Sequence, residues 1–481
     1  MRSVVIHGHF YQPPREDPWT GVVEHEPTAA PFHDWNQRIE SECYAPVASA
    51  RVLGRDGSVA YKDNLYAELS FNVGPTLFEW MESSAPETYA AILDADAISD
   101  RKLGHGNAIA MPYHHVILPL APLRDKVTEV RWGIADFRRR FGREPEGMWL
   151  PETAVDEESL DVIAEAGIFF TILAPHQVEN PPLDGRPLRY VAANGDEIAL
   201  FIYDGRLSSD MAFGPLLRDG AVLARRLAPA EPNDVVLKSA AMDGETFGHH
   251  QKFGEMGLAR AFRILGDNDD VRLENFASFL ERNPPVTDAV LVSPSSWSCP
   301  HGVERWRANC GCKLSPGENT SQAWRRPLRE AFDWLAGELH EIFETEGKDL
   351  FNIDPWEVRD RAGDMIGSSE ASALSFVADS VTRRDGARIE RAAELLEMEH
   401  GALRMFTSCA WFFDDIARIE TIQVLRYAAF AIELSGDAMR LETGLLERLG
   451  DVKSNDPAEG TVRDIWRTKV KPHEPADIVR A

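Results

Sequence analysis

The sequence predicts an α/β protein with a parallel sheet or barrel, followed by a mainly helical region. Strand-like and helix-like patterns alternate as far as about residue 250, which is typical of βα units. Two apolar strands run out into polar side chains, in GMWLPE from Gly147 and in MDGETFGHH from Met242. Beyond Pro316 helical periodicity dominates, and strand signals are few.

Length and charge restrict the class of protein. The 481 residues exceed one ordinary core, so we expect a large domain over residues 1–314 and a helical domain over 315–481. The net charge of −27 repels nucleic acid and anionic lipid, so neither is an expected partner. No apolar run reaches the roughly 18 residues of a membrane helix, and no signal peptide is evident. A cytoplasmic location is therefore expected, and the oligomeric state is left open.

Five cysteines make an odd number and do not indicate a disulfide framework. Four residues of one loop stand as Cys299-x-His301 and Cys310-x-Cys312. These soft ligands could hold zinc, but their spacing is not the usual paired Cys-x-x-Cys. A packed, glycine-containing loop is the favoured interpretation, and no metal is expected.

The first predicted strand, Arg2 to Tyr11, places His7 and His9 on one face because strand side chains alternate. This pair could ligate a metal, as at the first strand of metal-dependent barrel hydrolases, or it could bond sugar hydroxyls. Structural histidines at a strand end are the third interpretation. Gln12 adds an amide at the rigid turn that follows.

The next elements continue the alternation of strand and helix. An aromatic loop around Trp35 is either a platform for a sugar ring or simple packing. Phe71 to Pro75 closes a second strand before a helix. Residues 105–120 are predicted to be strand-like, with one of two histidines, His115 or its neighbour, facing a site. An amphipathic helix is predicted over 127–140.

The stretch GMWLPETAVD places Glu152 at the end of a short apolar strand, beside the large ring of Trp149. Thr153 or Asp156 is predicted to cap a helix over about 157–166, because acidic residues in the first turn suit the helix dipole. In parallel α/β folds, active sites form at the carboxyl ends of strands. Glu152 is therefore a candidate catalytic carboxylate.

A second carboxylate follows the predicted strand Val235 to Leu237. Asp243 is the best partner for Glu152, and Glu245, two residues further on, is its rival. His249 lies in the same stretch. Two carboxyl groups at converging strand ends can share acid/base and nucleophilic work.

The remaining chain carries two further aromatic candidates and the helical region. Trp297 and Trp306 are either sugar platforms or part of a packed loop. Helices are predicted over 322–343, 386–406, 411–434 and 436–449. The polar tail from Asp451 is not expected to form a core of its own.

Four short motifs resemble those of glycoside hydrolase family 57, a family of α-glucan-active enzymes: IHGHFYQPP, YHHVILPL, GMWLPE and MDGETFGHH. The resemblance covers about the first 255 residues and implies an incomplete barrel of seven βα units, (β/α)7, followed by a helical C-terminal region. The stretch from Trp297 through CAWFFDDIARIE resembles a subgroup with an added domain of unknown function. Members of that subgroup are usually longer, so a shortened C-terminus is expected.

The resemblance implies a role for each residue of these motifs. Glu152 would be the nucleophile and Asp243 the general acid/base. The substrate contacts expected within the motifs are His7, His9, Gln12, His115, Trp149, Glu245 and His249. The aromatic loops add Trp35, Trp297 and Trp306 as candidate contacts. The reaction would be retaining hydrolysis of an α-glucan or malto-oligosaccharide, or glucanotransferase or branching activity, with no metal or cofactor.

The chemistry of the residues agrees with this role. Retaining glycosidases use two carboxyl groups about 5–5.5 Å apart, one as nucleophile and one as acid. Glu152 is expected to be ionised, while burial and a charged neighbour raise the pKa of Asp243.

Two other functions are compatible with the sequence. One is a metal-dependent amide or ester hydrolase with His7, His9, a later histidine and Asp243 as ligands, and with Glu152 bridging or acting as a base. The other is a non-catalytic glucan-binding protein. The presence of both carboxylates argues against the latter, because binding alone does not need them.

Overall fold

The computed structural model describes residues 2–54, 56–228, 235–315, 317 and 319–471 of the chain. The strands in these residues are β1 (Arg2–Phe10), β2 (Ala50–Leu53), β3 (Val59–Asp63), β4 (Ser70–Val73), β5 (Phe170–Leu173), β6 (Leu188–Val191), β7 (Glu197–Ile202), β8 (Leu237–Asp243) and β9 (Val271–Leu273). The helices are α1 (Trp35–Ile39), α2 (Ala45–Ala48), α3 (Pro75–Ser84), α4 (Pro86–Leu103), α5 (Leu123–Phe141), α6 (Glu157–Glu165), α7 (Gly205–Ala212), α8 (Gly220–Leu227), α9 (Gly254–Gly266), α10 (Phe276–Arg282), α11 (Arg325–Leu350), α12 (Pro355–Ala362), α13 (Glu370–Ser380), α14 (Gly386–Arg404), α15 (Cys409–Phe412), α16 (Ile419–Leu434), α17 (Ala438–Leu449) and α18 (Val462–Ile465). The fold is mixed α/β with a helical C-terminal region, as predicted.

Strand β1 lies at the centre of the first sheet, with β4 and β8 parallel to it on either side. It is almost entirely buried, as a strand flanked by two parallel neighbours should be. Strand β9 also pairs with the start of β1. In the register, His9 stands beside Asn72 of β4 and Asp243 of β8. The carboxyl ends of all three strands therefore meet at one edge.

A second sheet has the order β5-β7-β6, in which β5 and β7 are parallel and β6 is antiparallel. Strands β2 and β3 form a separate antiparallel pair. Isolated parallel bridges link further segments: Phe71 to Ala108, Ala110 to Met148, and Gly147 to Phe170. The prediction of a strand over 105–120 is wrong, because those residues form isolated bridges and turns.

The described residues divide into two compact units. Those of the first fall in Met1–Gln12, His25–Met111 and Phe137–Trp297, and those of the second fall in Pro13–Glu24, Pro112–Asp136 and Ser298–Ala481. The units therefore alternate along the chain. A domain boundary between residues 314 and 315 remains a prediction.

The first unit is built on an aromatic core. Trp149, Phe170, Phe201 and Phe276 belong to one buried cluster, and none is more than 1% exposed. Each ring removes a large apolar area from water, so this cluster stabilises the packing of β5, β7 and α10 and of the segment around Trp149. Gly147 lies against Phe170 so closely that an added Cβ would fall 2.3 Å from the ring.

Helix α6 confirms the predicted cap. Asp156 is the N-cap residue, and its carboxylate accepts a hydrogen bond from the Ser159 amide at 2.8 Å. Glu157 and Glu158 occupy the first turn, where the helix dipole favours negative charge. Gly167 follows the helix with φ +85°, which is a left-handed conformation that suits glycine.

The second unit is helical, with α14 packed against α11 and α16. The predicted helices are confirmed except that residues 411–434 divide into α15 and α16. In the tail from Asp451, the residues Val462, Ile465 and Val470 are buried, and the tail packs against α16 and α17. That it forms no core of its own remains a prediction, and residues 472–481 lie outside the described part. None of the helices in the described ranges is long and apolar enough to cross a membrane.

Candidate active site

Strand β8 delivers Asp243 to the edge where β1 ends. The strand was predicted over 235–237, but it begins at Leu237 and continues to Asp243. Its residues are mostly buried until Asp243, which is exposed. Asp243 therefore marks the point at which the strand leaves the core, next to His9 in the register.

Glu152 lies in a tight turn, Pro151–Thr153, with an unusual backbone. Glu152 has φ 59° and ψ 19°, and Thr153 has φ 48°, so both are left-handed. For a β-branched residue such as threonine this conformation is a genuine outlier, and it costs about 1–3 kcal/mol. Strain of this kind persists only where the surrounding structure enforces it.

Trp297 makes two hydrogen bonds to Glu152, one to its side chain and one to its backbone. The indole Nε1 of Trp297 donates a hydrogen bond to Glu152 Oε2 at 2.9 Å. The amide of Trp297 also donates to the carbonyl of Glu152 at 3.0 Å. Trp297, predicted as a sugar contact, thus holds the candidate nucleophile. It is half-buried, and its ring meets that of Trp149 edge-on with centroids 5.1 Å apart.

Gln177 holds the strained turn in place through hydrogen bonds to Thr153, and the sequence did not predict this role. Its Oε1 accepts hydrogen bonds from the Ala174 amide and the Thr153 hydroxyl, both at 2.8 Å. Its Nε2 donates to the Thr153 carbonyl at 2.7 Å and to Ser295 Oγ at 3.2 Å. Gln177 is fully buried, so these bonds are shielded from water. The sequence signal that could have identified Gln177 is its position just after the end of β5.

Replacing Gln177 with leucine should release this turn. We expect kcat of any reaction that uses Glu152 to fall by about 10²-fold, because a misplaced catalytic carboxylate loses its near-attack geometry. KM should change little, since Gln177 is fully buried and has no surface to offer a substrate. Steady-state kinetics separate the two terms, and Gln177→Glu, which keeps the acceptor, should recover part of kcat. An equal loss in both variants would show that the acceptor oxygen does not position the turn.

The environment of Asp243 favours its protonated form. Burial of the carboxyl by surrounding protein raises its pKa well above the usual range, although the residue as a whole opens to solvent. The negative charges of Glu245 and Glu152 raise the pKa further. Asp243 therefore carries a proton under conditions where an ordinary aspartate would not, as a proton donor must.

Glu245 is buried and held within the first unit. Its Oε1 accepts hydrogen bonds from the Tyr44 hydroxyl at 2.5 Å and from the Tyr11 amide at 3.1 Å. Burial raises the pKa of Glu245 to about 7, while these hydrogen bonds act in the opposite direction. Compared with Asp243, Glu245 is enclosed and already committed to protein partners.

Glu245 should make the free energy of unfolding depend on pH. Because its folded pKa of about 7 exceeds the ordinary 4.5, the folded state retains a proton that the unfolded state loses. The contribution of Glu245 to the free energy of unfolding is at its full value below about pH 4.5. It falls by about 3 kcal/mol as the pH rises from there through about 7. Glu245→Gln keeps the acceptor for Tyr44 and Tyr11 and should abolish this fall. Urea unfolding of both proteins across pH 5–8 measures it, and parallel curves would contradict it.

His7 and His9 form a buried stack with Trp149. Their ring centroids lie 4.9 and 5.1 Å from that of Trp149, with nearly parallel planes. Burial lowers the pKa of each histidine to about 3, so both rings are neutral. Asn72, which the sequence reasoning missed, joins them: its Oδ1 is 3.1 Å from His7 Nε2, and its Nδ2 is 3.0 Å from His9 Nδ1. This network holds both rings in a fixed orientation.

Three other predicted contacts lie in the same unit. The rings of Trp35 and His249 meet edge-on with centroids 6.0 Å apart, and both are half-buried. His249 Nδ1 lies 2.5 Å from Glu42 Oε2. Gln12 donates from Nε2 to the Tyr11 carbonyl at 3.0 Å, and its side chain also bonds Glu245. Their contact with a substrate remains a prediction.

The last two predicted contacts belong to the second unit. His115 is buried with φ 57°, and its Nδ1 lies 2.7 Å from the Ser408 hydroxyl. Trp306 is 1% exposed. Both side chains pack within the protein, and a role for either in binding also stays a prediction.

Two protein-family models match separate segments of the chain. The model of the family described as glycosyl hydrolase family 57 matches residues 38–287, more than half of the chain. The chain belongs to glycosyl hydrolase family 57. A domain of unknown function, DUF3536, matches residues 321–477. The family and the added domain predicted from the sequence are both confirmed.

Relatives within the family are distant. An α-amylase of Pyrococcus horikoshii is 25% identical over 246 residues, which is 48% of this chain and 37% of the relative. A 4-α-glucanotransferase of Thermococcus litoralis is 24% identical over 251 residues, covering 49% and 37%. This chain thus matches little more than a third of either relative. A solved exo-type maltose-forming amylase from Pyrococcus sp. ST04 has the same fold, with TM-score 0.71, 15% identity and coverage of 93% and 82%.

Proposed function

We propose that this protein is a retaining enzyme acting on α-glucans or malto-oligosaccharides, with Glu152 as nucleophile and Asp243 as general acid/base. One observation carries the proposal. Asp243 stands beside His9 in the register of β1 and β8, and the His9 ring stacks on Trp149. Trp149 in turn meets the ring of Trp297, whose indole donates a hydrogen bond to the Glu152 carboxylate. One chain of contacts therefore links the two carboxyl groups, and the charge of Glu152 also acts to raise the pKa of Asp243. Two carboxyl groups whose environments separate their protonation are the requirement of a retaining glycosidase.

In the first step, a carboxylate oxygen of Glu152 attacks the anomeric carbon of the glucosyl unit. The glycosidic C–O bond breaks, and Asp243 donates its proton to the departing oxygen. The product is a covalent glycosyl-enzyme with inverted configuration and an ionised Asp243. The bond from Trp297 to Glu152 Oε2 orients the attacking group.

In the second step, Asp243 accepts a proton from an incoming hydroxyl group, whose oxygen attacks the anomeric carbon. The bond to Glu152 breaks, and the second inversion restores the α configuration. Water as acceptor gives hydrolysis, and a sugar hydroxyl gives transfer. Both outcomes are represented among the relatives, one named an α-amylase and another a 4-α-glucanotransferase.

Aromatic groups around Glu152 suit a neutral sugar. Trp297 bonds the carboxylate and is half-buried, the buried ring of Trp149 supports it edge-on, and the stacked histidines are uncharged. A net charge of −27 disfavours phosphorylated or acidic substrates on the same grounds. An uncharged oligosaccharide is the substrate class that these features favour.

We further propose that the parallel strands form the incomplete (β/α)7 barrel. The two sheets account for β1, β4, β5, β7 and β8. The bridged segments at residues 108–110 and 147–149 supply two more parallel positions between β4 and β5. A hydrogen bond of 2.9 Å from the Asp204 amide to the Ser239 carbonyl connects the end of β7 to β8.

The metal-dependent alternative receives little support. In the part of the chain that the structure describes, one group of side chains lies close enough to share an ion. That group does not include His7, His9 or Asp243. Both nitrogens of His7 lie within 3.1 Å of Ser70 or Asn72. A catalytic ion would have to displace those bonds.

The product anomer tests the proposed function. Proton NMR during digestion of a malto-oligosaccharide should show the α anomer first, followed by mutarotation. Mass spectrometry of the same digest reports transfer as products longer than the substrate. Initial release of the β anomer would overturn the retaining mechanism, and failure to act on any α-glucan would overturn the substrate class.

A further inference from the structure

A cluster of three cysteines and one histidine lies in the second unit, in the loop that precedes α11. Its members are Cys299, His301, Cys310 and Cys312. Each offers one ligand atom, and the four atoms all lie within 4.8 Å of one another. Cys299 is buried, and Cys310 and Cys312 are half-buried.

The distances fit a shared ion rather than a disulfide. Cys299 Sγ and Cys312 Sγ are 3.7 Å apart, whereas a disulfide needs about 2.05 Å. His301 Nδ1 is 3.6 Å from Cys312 Sγ. Tetrahedral zinc, with Zn–S about 2.3 Å and Zn–N about 2.0–2.1 Å, places two sulfurs about 3.8 Å apart and sulfur and nitrogen about 3.6 Å apart. Both observed distances therefore match a tetrahedral zinc site.

We propose that Cys299, His301, Cys310 and Cys312 bind one structural zinc ion. Sulfur and imidazole ligands are those that zinc prefers, and four protein ligands complete its tetrahedron. No position remains for water, so the ion has no catalytic role. The irregular spacing argued against this site in the sequence, but the fold brings the two short motifs together.

The backbone of the loop is suited to this convergence. Gly311 separates Cys310 from Cys312 and has φ +86°. Gly302 directly follows His301 and has φ +79°. Side chains other than glycine rarely adopt this conformation, which reverses the chain locally. Both pairs of ligands can thus turn towards a common centre.

Two buried arginines supply compensating charge. Three thiolates and one neutral imidazole leave a zinc complex with one net negative charge. Arg325 Nη1 donates to the Cys312 carbonyl at 2.8 Å, and Arg305 Nη1 lies 3.2 Å from the carbonyl of Ser298, which precedes Cys299. Both guanidinium groups are almost fully buried, and the Nε of each lacks a hydrogen-bond partner among the described residues. A nearby anionic complex would offset the cost of burying these cations.

The loop also needs a constraint of this kind. Between Ser298 and Trp324, the described residues contain one short turn, Glu304–Trp306, and otherwise no helix or strand. Ordering such a segment costs conformational entropy. A metal ion that joins residues 299–301 to residues 310–312 offsets part of this cost, because its binding free energy is coupled to folding.

The metal content of the full-length protein tests the proposal directly. Protein purified without chelator should contain one zinc per chain by inductively coupled plasma mass spectrometry. X-ray absorption should show about three sulfurs at about 2.3 Å and one nitrogen at about 2.0–2.1 Å. Stoichiometric iron would overturn zinc as the metal. Absence of any metal, with a Cys299–Cys312 disulfide in the intact mass, would overturn the site.

Variants assign the ligands. Cys312→Ser and His301→Gln should lose bound zinc and unfold at lower temperature, whereas the matched control Cys409→Ser should retain zinc. If the variants fail to fold, cobalt added to metal-free wild-type protein provides the second measurement. A thiolate-to-cobalt charge-transfer band is expected, and its absence would refute thiolate ligation. These readouts do not depend on enzyme activity, so they stand or fall separately from the proposed function.

Discussion

Replacing Glu152 with glutamine should lower kcat on malto-oligosaccharides by roughly 10³-fold or more, because an amide cannot form the glycosyl-enzyme. The substitution preserves the shape of the side chain and an oxygen that accepts the bond from Trp297. The strained turn should therefore stay in place, and substrate affinity should change little. Steady-state kinetics on short malto-oligosaccharides measure the loss of kcat, and calorimetry measures the substrate affinity separately.

A matched control and a rescue experiment make this prediction specific. Glu165→Gln changes an exposed glutamate at the end of α6 and should leave kcat unaltered. Glu152→Ala opens space for azide, which should attack the anomeric carbon once and yield the β-glycosyl azide. An α-glycosyl azide from this variant would assign Glu152 to the acid/base role instead, since that product requires an intact nucleophile.

Features that depend on short-range signals were predictable from the sequence. Asp156 caps α6 because an acidic side chain before an amphipathic run can bond the first free amides. Glu152 and Asp243 were placed at strand ends because each follows an apolar run. The helical period after Pro316 predicted most helices of the second unit. These signals lie within one element, where local chemistry decides the structure.

Features that depend on contacts distant in sequence were not predictable. Residues 105–120 look apolar enough for a strand, but only isolated positions pair with neighbouring strands. Gln177 and Asn72 read as ordinary polar residues until the fold brings them to Thr153 and to the stacked histidines. The same holds for the cysteine cluster, whose ligand spacing in the sequence gave the opposite interpretation.

Burial also separates candidate contacts that looked alike in the sequence. Trp297 and Trp306 both stand in one aromatic loop, and either could have been a sugar platform. The structure places Trp297 on the carboxylate of Glu152 and encloses Trp306 within the second unit. Aromatic composition cannot distinguish these outcomes, because a ring that binds sugar and a ring that fills a core have the same hydrophobicity.

Replacing Asp243 with asparagine should reduce kcat/KM on natural glucans by about 10²–10⁴-fold, because the leaving oxygen then receives no proton. The loss should be small for glucosides with an acidic phenol as leaving group, which departs unprotonated. In wild type, activity should fall as pH rises through the raised pKa of Asp243, because deprotonation removes the acid. Asp243→Asn should lose this basic limb.

Glu245→Gln distinguishes Asp243 from its rival. Glu245 is enclosed and bonded to Tyr44 and Tyr11, so its loss should alter stability against pH but retain the basic limb of activity. Asp269→Asn, on an exposed turn after α9, is the matched surface control. If the loss of kcat/KM varies with the leaving group in Glu245→Gln and not in Asp243→Asn, then Glu245 is the general acid. The physical argument against that outcome is access, because a proton donor must reach the glycosidic oxygen, and Asp243 is exposed as a residue whereas Glu245 is buried.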